Sequence, residues 1–218
     1  MINIVLYEPE IPENTGNIMR TCAGTNSKLH LIEPLGFIMD EKRIKRSGVN
    51  YIDKVQYKRY IDYEDFISKN KGEYYYFTRY STKTYSEIDF SDKNKNYYLI
   101  FGKESTGIPK EILHNNLDKC YRIPTSDNIR ALNLSNCVAL VTYEALRQQD
   151  FPNLLRSDPF KGKDYLEKEY DKYIMENCKY LHDKDLDFIV RVITIMREEY
   201  VKINTEIEWY FYHSFYII

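Results

Sequence analysis

A chain of 218 residues and 26.2 kDa is long enough for one α/β domain of ordinary size with a short appendage. Its formal net charge of −2 gives no overall basic field for nucleic acid, and with 43% apolar and 29% charged residues it has no run of about 18 apolar residues to span a membrane. Four dispersed cysteines, Cys22, Cys120, Cys137 and Cys178, form no C-x-x-C pair and have no histidine at ligand spacing, so neither a metal site nor a disulfide framework is expected and they read as small buried hydrophobes.

In chain order, "INIVLY" (2–7) reads as a strand buried on both sides. The opening residues carry no basic region and no small-residue cleavage pattern, so a cytoplasmic location is expected. "EPEIPENTGNIMR" follows, where Asn14 or Thr15 suits the cap of a helix starting near Gly16 and running to residue 25, with Arg20 about one and a half turns in. "KLHLIEP" (28–34) is a second strand. Residues 40–48 have helical spacing, and their bases Lys42, Arg43, Lys45 and Arg46 form either a solvated helix face or a phosphate-contact stripe for RNA.

Further strands are expected at "KVQYKRY" (54–60), "EYYYFTR" (73–79), "NYYLIFG" (96–102) and "CYRIPT" (120–125). Helices are expected at 62–70, at 109–116 with Pro109 in the first turn, and at 133–149. Strands thus alternate with helices, and the strands are nearly continuous in apolar residues. This predicts an α/β fold, a mostly parallel sheet with helices on both faces, with ligands gathering at the carboxyl ends of the strands. The 22 tyrosines accompany a general richness in Lys, Asn and Ile, so their abundance alone points to no function.

"DFPNLLRSDPFKG", with two prolines and a glycine, reads as a linker that separates a domain at 1–155 from an extension at 156–218. The extension carries three more acids than bases and holds two amphipathic stretches, the first placing Leu166, Tyr170, Tyr173, Ile174 and Cys178 on one face and the second running from about Asp185 to Tyr212. A helical hairpin is expected there, packing on the main domain or on a second subunit.

Three common chemistries are missing. The eight glycines never fall into G-x-G-x-x-G or G-x-x-x-x-G-K-[ST], no serine occupies a G-x-S-x-G elbow, and the four histidines lack triad-like neighbours. What remains is three polar loops at strand ends: "EPEIPENTGNIMR", "FGKESTGIPKEIL" and "RIPTSDNIRALNLSN". Each alone is an ordinary strand-to-helix connection.

Together with "LHLIEPLGF", these segments resemble, in order and spacing, the TrmL/YibK-type tRNA 2′-O-methyltransferases of the SPOUT superfamily, over roughly residues 1–153. The resemblance implies an α/β fold whose C-terminal part forms a trefoil knot, an exception to the avoidance of knots. It implies a homodimer and S-adenosylmethionine as cofactor, with a substrate in the anticodon stem-loop of tRNA, at the ribose 2′-hydroxyl of the wobble nucleotide. Cofactor contacts would fall on Phe77, Thr78, Gly102, Ile123, Ala131 and Leu132, mainly through backbone groups. The reactive constellation would be Asn14, Arg20 and Asn133, and no metal is implied. Related enzymes commonly carry serine at the position of Ala131, so no catalytic side chain is available there.

Arg20 is a permanent cation, which favours a phosphate clamp over a general base; pairing with Glu8 or Glu10 is the structural alternative. Glu104 suits a loop amide, a cofactor polar group or an exposed turn, and Tyr143 either a dimer seam or the core. A rival class, a non-catalytic knotted RNA-binding or regulatory protein, is kept open by Ala131 and the extension. A plain nucleotide-binding module is disfavoured by the absent phosphate loops.

Overall fold

The structure, a computed structural model, describes residues 1–39, 54–177 and 191. Contacts divide the chain into two compact units, 1–154 and 155–218. The expected basic helix at 40–48, with Lys42, Arg43, Lys45 and Arg46, lies outside the described residues, as does nearly all of the second extension helix.

The first unit is built on a six-stranded parallel sheet: β1 (Ile2–Tyr7), β2 (Lys28–Ile32), β3 (Tyr57–Tyr60), β4 (Glu73–Phe77), β5 (Tyr97–Gly102) and β6 (Cys120–Tyr121). Their spatial order is β3-β2-β1-β5-β4-β6, so the chain builds one half outward from β1 and then crosses to build the other. Such a reversal opens a crevice at the carboxyl ends of the strands. The registers Tyr7↔Ile32 and Tyr7↔Gly102 put the end of β1 between the ends of its two neighbours.

Period-two alternation sends the β1 side chains into two cores. Ile2, Ile4 and Leu6 join Leu29, Leu31, Leu99 and Phe101 beneath α1 (Pro12–Thr25) and α4 (Leu134–Gln148), which contribute Ile18, Met19, Cys22, Val138, Val141 and Ala145. Val5 and Tyr7 join Ile32, Tyr98 and Ile100 on the other face, covered by α2 (Tyr63–Lys69) through Phe66 and by α3 (Lys110–His114) through Leu113. Phe66 makes edge contacts with His30, Tyr60, Tyr74 and Tyr98, so its truncation to alanine costs about 3–5 kcal/mol.

Several boundaries differ from expectation. Helix α1 starts at Pro12, with Ile11 at the N-cap and no side-chain cap, so neither Asn14 nor Thr15 caps it. A proline in the first helical turn fixes φ and gives up an N–H that has no partner there anyway. Strand β6 stops at Tyr121, short of the expected residue 125: β4 offers partners only at Tyr76 and Phe77, and Pro124 has no N–H for a ladder. Tyr143 is 49% exposed, which removes the core reading.

The second unit contains α5 (Tyr165–Asn177). Its Leu166, Tyr170 and Tyr173 are exposed.

Candidate active site

The loop after β1 and the loop after β5 are laced together by reciprocal side-chain contacts. Lys103 Nζ meets Glu8 Oε2 at 2.6 Å; Ser105 donates both its N–H and its hydroxyl to Glu10 at 2.8 Å. Those two bonds, the hydroxyl's first, hold the Glu10 carboxyl below the usual carboxylate range. Glu104 answers in the other direction, accepting from the backbone N–H groups of Glu10 (2.9 Å) and Ile11 (3.3 Å) and from Asn14 Nδ2 (3.1 Å). A carboxylate from another loop therefore stands at the start of α1, where helix polarity favours an anion and no local side chain caps the turn.

Two glycines allow this approach. Gly102 has φ +106°, and a Cβ there would lie 2.5 Å from the Tyr7 carbonyl oxygen; at Gly36 it would lie 2.7 Å from the Glu10 Cα. Gly36 N–H donates to Pro9 O at 2.9 Å, so "EPLGF" supports the first loop from its other side.

The third loop enters through Asn133, the N-cap of α4, whose Oδ1 accepts from Ser135 N (2.9 Å), Ser135 Oγ (2.6 Å) and Asn136 N (3.4 Å). Its Nδ2 donates to Asn14 Oδ1 at 2.9 Å. A directed chain of amides results, running from the α4 cap through Asn133 and Asn14 to Glu104. Backbone donors at one end and a carboxylate at the other fix the orientation of both amides.

These loops enclose a cleft of about 450 Å³ at the carboxyl ends of β4 and β5. Among the residues singled out from sequence, Asn14, Phe77, Thr78, Gly102, Ile123, Ala131, Leu132 and Asn133 all line it. Arg20 does not: it is exposed on α1. Phe77 stacks on Phe101 with ring centroids 4.6 Å apart and forms an apolar floor. Cys137 also lines the cleft, but burial pushes its thiol up to about 11, so at neutral pH it is no nucleophile. Among the described residues no cluster of His, Cys, Asp or Glu could hold a metal ion, and no helix is long and apolar enough to cross a membrane.

Sequence reading undervalued Glu104 and passed over Arg79, Tyr80, Arg122 and Arg130, which also line the cleft. The matching charges of "EPE" and "GKES" were the available signal for the lacing. For the four rim residues the signal was weaker: a basic–aromatic pair directly after a strand, and arginines flanking "IPTSDNI".

Fold and site define an α/β protein with its ligand cleft formed by loops at the carboxyl ends of parallel strands, without a phosphate-binding glycine motif. Residues 1–143 match the SpoU rRNA Methylase family, and the chain belongs to that family. It is 51% identical over 162 residues to a Listeria monocytogenes protein named as a candidate tRNA (cytidine(34)-2′-O)-methyltransferase, covering 74% of this chain and 96% of that protein. The tRNA (cytidine(34)-2′-O)-methyltransferase of Escherichia coli K12 is 42% identical, across 72% of this chain and all of its own length, 100%. The crystal structure of a candidate RNA methyltransferase from Bacillus anthracis superposes with a TM-score of 0.70 at 48% identity, covering 72% of this chain and 100% of that one.

Proposed function

We propose that the chain is an S-adenosylmethionine-dependent tRNA methyltransferase acting on the ribose 2′-oxygen of the wobble nucleotide, cytidine or uridine at position 34, in the anticodon loop. The observation that carries this reading is the convergence of four distant segments on one cleft, in a chain 51% identical over 162 residues to a protein named as a candidate tRNA (cytidine(34)-2′-O)-methyltransferase.

The cleft suits the cofactor. Its volume of about 450 Å³ is within the range of small-molecule sites, and Phe77, Ile123, Leu132 and Leu134 give it apolar walls. Arg122 presents a buried Nε without a hydrogen-bond partner at the cleft wall, a donor that an acceptor-rich ligand satisfies. Phe77, Thr78, Gly102, Ile123, Ala131 and Leu132 are the cofactor-binding set, acting mainly through main-chain groups. That accounts for the missing glycine fingerprint, since this cofactor has no pyrophosphate to grip. When bound, S-adenosylmethionine would supply an electrophilic methyl group for the ribose 2′-oxygen.

The chain's part is positioning, which can lower a barrier by roughly 7–11 kcal/mol. Asn14 and Asn133, held in one orientation by Glu104 and the α4 cap, fix the reacting side of the cleft. Arg20, outside the cleft on the exposed side of α1, clamps a phosphate beside the target ribose. Glu8 and Glu10 are engaged by Lys103 and Ser105. Lys42, Arg43 and Arg46 add phosphate contacts. The protein works in the cytoplasm as a homodimer with Tyr143 near the seam, and the C-terminal part of the α/β fold is threaded as a trefoil knot. Residues 1–155 are the methyltransferase domain and 156–218 a helical extension.

Mapping 2′-O-methyl marks in tRNA from cells lacking this protein tests the assignment: the wobble mark is lost from its target tRNAs. Retention of every wobble mark, or no binding of S-adenosylmethionine by calorimetry, supports the non-catalytic scaffold instead.

A further inference from the structure

The described tyrosines fall into distinct environments. Tyr60, Tyr74, Tyr75, Tyr76, Tyr97 and Tyr98 belong to the aromatic packing of the sheet faces. Tyr80 is different: it follows β4 at the cleft mouth and is 61% exposed. Its neighbour Arg79 sets its guanidinium 4.6 Å from the ring centroid and donates from Nη2 to the phenol oxygen at 2.6 Å. One face of the ring thus carries a fixed cation while most of the side chain stays open to solvent.

The position of this pair is informative. Tyr80 lines the candidate active cleft and also a second, open depression of about 700 Å³ beside α3, with Lys110, Leu113, His114 and Leu117. Tyr80 is therefore a partition between two hollows, with Arg79 on the side of the first. Positive charge gathers around it: Arg79, Arg130 and Lys110 all act electrostatically to lower the Tyr80 hydroxyl below the usual phenol range, after the direct hydrogen bond from Arg79. Arg122 lines the same cleft. An exposed aromatic ring backed by arginine, with further cations around it, is the composition of a single-stranded nucleic-acid platform, where bases stack on rings and cations hold phosphates.

We infer that Tyr80, backed by Arg79, is the stacking platform for the unpaired nucleobase adjacent to the target nucleotide, and that Arg130 and Lys110 hold the phosphates flanking it. This deepens the proposed function and rests on it. The target ribose enters the first cleft while its neighbour's base lies on Tyr80 above the second.

The test uses the full chain and a synthetic anticodon stem-loop, with the base deleted on one or the other side of the target nucleotide while its sugar and phosphate are kept. For the unsubstituted protein, one of these abasic RNAs binds about five- to 150-fold more weakly than the intact RNA, the span set by one base–aromatic stack. Tyr80→Ala loses a similar factor on intact RNA and shows no further loss with that abasic RNA. Tyr80→Phe retains the stack and the abasic penalty. Arg130→Ala and Lys110→Ala each reduce the salt slope of binding by about one unit. Circular dichroism and S-adenosylmethionine affinity report whether each variant keeps its fold and first cleft. Equal affinity of Tyr80→Ala and unsubstituted protein for intact RNA, or an abasic penalty that persists in Tyr80→Ala, overturns the inference. If the protein methylates tRNA yet shows no such coupling, only the stacking assignment falls; if it methylates no tRNA, the functional reading itself falls.

Discussion

Asn133 donates its side-chain amide to the carbonyl oxygen of Asn14 at 2.9 Å across a sequence separation of 119 residues. The same Asn133 caps α4, so one residue both starts a helix and sets the orientation of a neighbouring loop. Asn133→Asp keeps the cap oxygen but turns a second oxygen towards the Asn14 carbonyl. Stability measured by urea unfolding should fall by about 1–3 kcal/mol, because two oxygens then face each other with no proton between them, and single-turnover methyl transfer should fall at least tenfold. Asn133→Ala loses the cap as well and should cost about 0.5–2 kcal/mol. Full activity in Asn133→Asp would show that the amide orientation is irrelevant to the chemistry.

Glu104 accepts three hydrogen bonds from the other loop. In Glu104→Gln an NH2 group replaces one acceptor oxygen and must face a donor, either the Glu10 amide or the pair formed by the Ile11 amide and Asn14 Nδ2. Loss of charge-assisted bonds of this kind costs about 1.5–3 kcal/mol. Chemical unfolding should read that loss, and calorimetry should show weaker cofactor binding, because the loop after β5 lines the cleft.

Substitution at two glycines should give opposite signs. Gly102→Ala places a Cβ 2.5 Å from a backbone oxygen at φ +106° and should destabilise the protein by more than about 2 kcal/mol. Gly24 is an exposed residue of α1, and a Cβ added there would meet nothing within 4 Å, so Gly24→Ala should raise stability by about 0.5 kcal/mol. Thermal melts of both variants measure this directly.

Acid should weaken the fold through His30. It is 5% exposed, with Nδ1 2.8 Å from the Tyr60 hydroxyl and Nε2 3.3 Å from Asn3 Oδ1. Burial first, then Lys28 and Lys58, bring its value down from 6.5 to about 4. Between those values the unfolded chain binds the proton and the folded chain does not, so stability rises with pH across that window and is level above it. Going from about pH 6.5 to pH 4 should remove about 3 kcal/mol. His30→Phe should flatten this part of the curve relative to the unsubstituted protein, whatever its effect at neutral pH.

Replacing Arg20 with Lys keeps the charge but loses the planar fork. Methyl transfer should fall at least tenfold while S-adenosylmethionine affinity is unchanged, since Arg20 does not line the cleft. Equal activity in the two proteins would remove the phosphate clamp.

The strands and helices were legible because apolar runs such as "INIVLY" and "YYLIFG" belong to a sheet covered on both faces, a local pattern with one tertiary solution. The loops that line the cleft were also legible, as polar segments following those runs. The pairing of their side chains was not. Asn14 looked like a helix cap because asparagine commonly is one, yet its amide is spent on Glu104 and Asn133, contacts spanning 90 and 119 residues. Likewise nothing in a count of 22 tyrosines distinguishes Tyr80 from Tyr76, which is 1% exposed; only the sheet does.

The central place of β1 shapes how the protein is made. Its pairing with β2 is available once residue 32 has left the ribosome, but the strand on its other flank, β5, begins at residue 97. At elongation rates of about 5–20 residues per second, that flank waits roughly 3–13 seconds with its backbone donors and acceptors unpaired. Each newborn copy is therefore sticky along this apolar strand for that interval, and crowding on polysomes makes neighbouring nascent chains the nearest false partners.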